Sequence, residues 1–302
     1  MPVEMNVQRW FFRFLVACLA CACGGVVSAE GSAADSAAAL HAKYTVLRAD
    51  LNHSPFDRPL HLESAETPDE LKGDVHALIS YPFPAVSTAL KGAERWCDIL
   101  ILHLNIKGCR AAGAAPETGL RVYVGRKFDE PLNAAHKVEF DYRVAADATD
   151  YFRLVLSAPT GPFGTRNYRI VLEAVPVDRE RTFIHMSYAY SYGVSAKIAM
   201  QAYLRTFGSQ KVGFTITERG SDGQPVRVNG LRGALERNVM RYYLAIDAYL
   251  AASASPPQEQ LEERLRDWFE STERYALQLH EVDQNEYLEM KRRECALQAS
   301  QP

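Results

Sequence analysis

Between Leu120 and Tyr192 apolar and polar residues alternate over one short segment after another. Leu120, Val122 and Val124 open the series. Val138, Phe140, Tyr142 and Val144 follow, interleaved with Glu139, Asp141 and Arg143. Phe152, Leu154, Leu156 and Ala158 lead into the turn sequence TGPFGT, after which Tyr168, Ile170, Leu172 and Ala174 alternate with Arg169 and Glu173. Ile184, Met186, Tyr188, Tyr190 and Tyr192 complete it. A period of two with one polar face predicts antiparallel sheet, and the short connections predict a meander.

The flanking segments have other periods. Residues 37–50 carry Leu40, Tyr44 and Leu47 at helical spacing. Residues 59–63 and 72–80 are expected as strands about a turn at Pro68, Asp69 and Glu70. Pro82 and Pro84 suit a helix entry, Val86, Leu90 and Ala93 an inner stripe, and Trp96 its end. The apolar run 99–106 reads as a buried strand or as a continuation of that helix, which periodicity does not separate. A helix over 194–207 and a hairpin over 211–228 are expected next, with Ser221, Asp222 and Gly223 at its turn. Asn229 is placed to cap a long helix to about Leu250, striped by Leu231, Leu235, Tyr242, Ile246 and Tyr249. Beyond Pro256 and Pro257, Leu261, Leu265, Trp268, Thr272 and Tyr275 stripe a charged helix, which docks on the domain or grips a partner.

The start of the chain has a different character. Arg9 and Arg13 flank an apolar run over 14–27, with Ser28 and Ala29 after it. This is the pattern of a secretory leader over residues 1–29, too short to span a bilayer, which takes roughly 20 residues. Lipidation near Cys18, Cys21 or Cys23 is the alternative, poorly matched by the preceding residues. Export places the mature chain in the periplasm or outside the cell. A short unstructured linker over 30–36 is expected to follow. Losing Glu4, Arg9 and Arg13 with the leader moves the formal charge from −3 to −4. A mildly acidic chain argues against nonspecific nucleic-acid binding. Outside the leader only Cys97, Cys109 and Cys295 remain, and a Cys97–Cys109 bridge and two buried thiols are both open readings.

The order of elements resembles the helix-grip architecture of START-like domains, the Bet v 1 and polyketide-cyclase superfamily. The resemblance spans residues 37–252 and rests on the helix after the second strand, YPFPAVSTALKGAERWCDI, and on the hairpin RNYRIVLEAVPVDRERTFIHMSYAY near the end of the sheet. It implies an α+β fold in which a curved antiparallel sheet grips a long late helix, to which the striped, charged sequence adds a helical extension over 256–298. One departure stands out: 36 residues, 193–228, separate the last strand from the long helix. The resemblance also implies a tunnel for an apolar or amphipathic small molecule such as a lipid. A transient membrane contact is open to such a carrier, and no segment after the leader is long and apolar enough to cross a bilayer, so no transmembrane segment is expected in the mature chain.

Candidate lining residues are Tyr168, Met186, Tyr188, Tyr190, Tyr192 and His103. A tyrosine offers an apolar ring and an orienting hydroxyl, although core packing explains any single one as well. His103 is unusual within the apolar run ILILHLNI, five residues from Asp98, and is a base, a head-group ligand or a satisfied core histidine. His185 falls on the opposite strand face and is expected at the surface. Arg153 and Arg166 are weaker candidates for an anion. Ser195 lacks the context of a nucleophile elbow, and no metal-ligand spacing, nucleotide loop or cofactor motif is present. Three functions remain: noncovalent binding of a lipid-like molecule, a cyclase or dehydratase using His103 or a tyrosine, and envelope assembly through the C-terminal helices. Binding is favoured over catalysis.

Overall fold

The computed structural model describes residues 33–113, 118–207 and 211–300. The leader and the first part of the linker lie outside these residues. Residues 33–36 are not an unstructured lead-in: helix α1 runs from Ala33 to Asn52. It is followed by strands β1 (Leu60–Glu66) and β2 (Glu70–Ile79) and two short helices, α2 (Phe83–Leu90) and α3 (Ala93–Leu100). Six strands come next: β3 (Ile106–Ala112), β4 (Gly119–Val124), β5 (His136–Asp147), β6 (Phe152–Thr160), β7 (Arg166–Pro176) and β8 (Thr182–Ser191). Helix α4 (Val194–Phe207) and the hairpin β9 (Ile216–Arg219) and β10 (Pro225–Arg227) fill the long insertion before helix α5 (Gly230–Ala252). Helices α6 (Pro257–Glu273), α7 (Ala276–Leu279) and α8 (Gln284–Ser300) follow.

Strands β1 to β8 form one antiparallel sheet in the order β1-β2-β8-β7-β6-β5-β4-β3, a six-strand meander with the first hairpin added beside its last strand. Helix α5 crosses the inner face. It is buried nearly all round, because the sheet covers one side and Leu265 and Trp268 of α6 cover the other. This is the helix-grip arrangement expected from the order of elements.

The helix does not sit centrally. It presses on β1 and β2, where Gly73 allows the close approach. A Cβ at Gly73 would stand 3.3 Å from Val239 Cγ1 and 3.4 Å from Leu235. Glu236, fully buried on α5, holds the insertion down. Its carboxylate accepts from the Phe214 N–H at 2.6 Å, the Thr215 N–H at 2.9 Å and the Thr215 hydroxyl at 2.6 Å, and from the Ser64 hydroxyl at 2.5 Å.

Two local expectations need correction. The helix after β2 is broken at Lys91 and Gly92, where Gly92 takes φ +118°, and Trp96 lies inside α3 rather than ending a helix. The Trp96 indole N–H donates to Leu90 O at 2.8 Å and ties the two pieces together. The run 99–106 is neither one strand nor one helix, because it closes α3, turns at His103 and enters β3 only at Ile106. Cys97 and Cys109 are bridged, joining α3 to β3, and Cys295 is free.

The outer face is covered in part by α1, whose Leu40 and Leu47 pack with Tyr151, Val175 and Phe183. That cover explains why His185 is not a surface residue. It faces outward, opposite Tyr188 and Tyr190, but is part-buried, with Nε2 2.8 Å from Asp74 and Nδ1 3.0 Å from Glu173. Its ring stacks on His76 with centroids 4.4 Å apart. Burial pulls the His185 pKa down, yet the two carboxylates outweigh it and hold the imidazole above its ordinary value. Burial also pushes Asp74 up, but hydrogen bonds from His185 and Lys72 bring it to about 2. Buried beside His185, His76 is pushed down to about 2 and stays neutral.

The stability contribution of His185 is therefore full below an unfolded pKa of about 6.5 and is lost as pH rises through its higher folded value. That of Asp74 is present above about 3.9 and lost as pH falls toward its depressed value. The melting temperature should fall by a few degrees between pH 6 and pH 8.5. In His185→Gln that slope should flatten; an equal slope in both proteins would remove His185 as its source.

Candidate functional site

Between the inner face of the sheet and α5 lies a cavity of about 510 Å³. It exists because α5 leans on β1 and β2 and leaves unfilled the space lined by β4, β5, β7 and β8. One wall is aromatic. Period-two spacing on β8 turns Tyr188 and Tyr190 inward, β7 contributes Tyr168, and α5 contributes Tyr242. The Tyr168 and Tyr190 rings stack at 5.2 Å with an interplanar angle of 13°, and Tyr188 meets Tyr242 at 5.6 Å. Gly161 makes room for this wall, because a Cβ there would fall 2.3 Å from the Tyr168 ring. Burial raises the pKa of every one of these phenols, Tyr168 to about 12, so all four keep their protons at neutral pH. The Tyr168 oxygen lies 2.7 Å from the Thr165 hydroxyl. Val138, Phe140 and Ile170 supply the apolar floor.

The mouth is formed by the loop after β4, the β6–β7 turn and α4. Arg126, His136 and Phe163 are exposed there. Phe163 adopts φ +58°, a left-handed conformation that costs energy for a bulky residue. That turn brings its ring 5.6 Å from Tyr203 of α4, across the entrance. The insertion that departs from the usual order of elements thus supplies one side of the mouth.

The polar end lies beside the loop after β4, whose Gly125 N–H donates to Asn105 O at 2.7 Å. His103 is buried in the turn between α3 and β3, stacked on Tyr242 at 4.7 Å. Its Nδ1 accepts from the Asn105 N–H at 3.1 Å, so in the neutral ring the proton sits on Nε2. Nε2 has no partner in hydrogen-bonding geometry, although Asn238 stands close by. Complete burial, reinforced by Arg241, Lys291 and Lys127, pushes the imidazole pKa well below its usual value. In this arrangement His103 is a neutral donor with its lone pair engaged by the Asn105 N–H, which disfavours the role of general base. Asp98 does not reach it; its carboxylate pairs with Arg264 at 3.1 Å.

Of the six candidate residues, Tyr168, Tyr188, Tyr190 and His103 line the cavity. Met186 is buried in the main core away from it. Tyr192 is also buried, but its hydroxyl donates to Thr67 O at 2.8 Å beyond the cavity. Arg153 lies on the outer face, 3.8 Å from Glu173, and Arg166 is exposed at the start of β7. Sequence reasoning missed Lys127, Arg237 and Asn238, which line the cavity too. The signal for Asn238 was available: Leu231, Ala234, Asn238 and Tyr242 recur at helical spacing and share one face of α5. Among the described residues no cluster of His, Cys, Asp or Glu could hold a metal ion, and no helix is long and apolar enough to cross a membrane.

No protein-family model and no curated protein matches the chain. Solved structures do. A conserved protein from Geobacillus kaustophilus is similar at 14% identity and a TM-score of 0.35, covering 61% of this chain and 97% of that one. A START superfamily protein from Mycobacterium smegmatis is similar at 12% identity and a TM-score of 0.31, covering 42% and 79%. A Streptomyces aromatase/cyclase is similar at 14% identity and a TM-score of 0.33, covering 68% and 97%. Likenesses this low carry no argument by themselves, and the helix-grip assignment rests on strand order and on the seat of α5.

Proposed function

We propose that the chain is an exported protein that binds a lipid-like or amphipathic small molecule noncovalently in the cavity between the sheet and α5. The observation that carries this reading is the cavity itself: about 510 Å³, with an apolar and aromatic wall and a few convergent polar groups at one end. That volume falls within the range of small-molecule sites, roughly 300–1,000 Å³. Burial of apolar guest surface supplies the affinity, at about 25 cal/mol per Å² less the cost of ordering. Export is supported by the leader pattern over 1–29 and by the Cys97–Cys109 bridge, since disulfides persist in oxidising compartments.

Catalysis of the cyclase type has less support. Its acid/base candidate His103 has no free lone pair, and the buried tyrosines hold their protons too tightly to act as bases at neutral pH. Assembly through a free apolar stripe on α6 is weakened by the burial of Leu265, Trp268 and Thr272 against the domain.

Native mass spectrometry of gently purified protein is the direct test. A bound species of lipid-like mass, released on denaturation, is the expected result. Empty protein in every preparation, together with no uptake of fluorescent fatty acids, would refute the reading.

A further inference from the structure

The polar end of the cavity carries more positive charge than it balances. Arg237 of α5 is 3% exposed. Its Nη1 donates to Val212 O at 3.2 Å, its Nε has no partner, and among the described residues no carboxylate forms an ion pair with it. The neighbouring carboxylate Glu236 is taken up by Phe214, Thr215 and Ser64. One turn along α5, Arg241 uses Nη2 for Glu281 at 2.8 Å and for Leu279 O at 3.0 Å, leaving Nε and Nη1 without partners. Lys127, which lines the cavity beside them, pairs with the same Glu281. Arg241, which stands behind the lining, and Lys127 thus share one carboxylate and Arg237 pairs with none among the described residues, while the other lining carboxylate, Glu130, is held by Arg126.

Holding such a group without an anion is expensive, because each buried cation needs both a counter-charge and filled donors. The cost is visible in the protonation equilibria. Burial and the nearby Arg241 press Lys127 down to about 7 and Arg237 down to about 10. Two further buried polar atoms stand at the same end: Oδ1 of Asn105 has no partner, and Nε2 of His103 has only the Asn238 side chain beside it. An amide is assigned its orientation from its hydrogen bonds, so Asn105 turned over would present its NH2 group instead.

We propose that this end selects an oxyanion: the guest carries a carboxylate or phosphate head that docks on Arg237 and Lys127, with His103 as a neutral third donor. The planar guanidinium suits such a head, and charge-assisted hydrogen bonds in a desolvated site are the strong kind. The tyrosine wall takes the apolar body. The guest class is thereby narrowed from amphiphiles in general to amphipathic acids, an inference that rests on the cavity being a binding site.

Calorimetric titration of the full chain at neutral pH with dodecanoate, dodecyl phosphate and dodecanol separates the two ideas. At least one anion should bind roughly 10- to 100-fold more tightly than dodecanol, and the tighter of the two identifies the head. Arg237→Met should bring that anion down toward dodecanol while dodecanol is unchanged, and Lys127→Met should move it the same way by less. Dodecanol binding as tightly as both anions would overturn the oxyanion proposal and leave the cavity reading intact. Failure of all three probes to bind would remove the cavity reading and this inference with it. Should Arg237→Met not fold, an unaltered preference for the anion in Lys127→Met would count as refutation.

Discussion

Replacing Ala234 by tryptophan should abolish guest binding without unfolding the protein. Ala234 lies on the cavity face of α5, half-buried beside Leu231 and Asn238. An indole there occupies space that the guest would use. Excluding about 80–150 Å² of apolar guest surface at about 25 cal/mol per Å² removes about 2–4 kcal/mol, a loss of about 30- to 1,000-fold in affinity. The apo protein should melt at or above the wild-type temperature, because the new side chain fills an existing void instead of crowding a packed core. Calorimetric titration with dodecanoate or dodecyl phosphate, beside a thermal melt, reads both numbers. A well-folded variant that still binds normally would show that guests bind elsewhere.

The largest loss of stability should come from Lys291→Met. Lys291 on α8 is fully buried, and its ammonium donates at 2.8 Å to His103 O, to Ile106 O and to Glu294 Oε2. All three donors are used, so α8 is riveted to the turn that carries His103. The methionine variant leaves two buried carbonyls without this donor. Glu294 retains only its Lys107 partner, 3.1 Å away. Breaking one side of a buried pair costs about 3–5 kcal/mol, or roughly 6–20 °C in melting temperature for a domain of this size. Urea denaturation should show a matching fall in midpoint at unchanged slope. Affinity for the guest should fall as well, since His103 and Ile106 line the cavity. A loss below about 1 kcal/mol would mean that α8 is a dispensable appendage.

The two predictions bear on what a sequence can disclose. The meander was legible because β5 to β8 are solvated on one side along part of their length, which leaves Glu139, Asp141, Arg143 and Arg169 alternating with apolar partners. Face assignment followed from the same period, and it put Tyr188 and Tyr190 inward and His185 outward. The environment of His185 was not legible, because α1 returns over the outer face from more than 100 residues away in sequence. The run 99–106 hid a helix end, a turn and a strand start because nearly all of it is buried, and its two polar residues, His103 and Asn105, sit in the turn without a local pattern that marks it. Met186 and Tyr192 share the parity of the lining tyrosines yet miss the cavity, since parity gives a face and says nothing of where along that face a void lies. The cationic end was hidden for a related reason. Arg237 and Arg241 sit on a helix that charge patterning marks as half-exposed; the insertion receives Arg237 at Val212, and α6 and α7 with the turn after them cover Arg241.

The bare backbone at Gly73 has a consequence for the whole binding chamber. It lies outside the lining of the void, yet it determines how far α5 can settle toward the β1–β2 edge, and hence how much room is left on the far side. A side chain there would meet Val239 and Leu235 at 3.3–3.4 Å and require them to give by tenths of an ångström, and where they cannot, the strain passes to a helix of 23 residues with everything packed along it. The capacity of the chamber is therefore adjustable from a position that never touches its contents, leaving the tyrosines and the cations free to set which molecule is chosen.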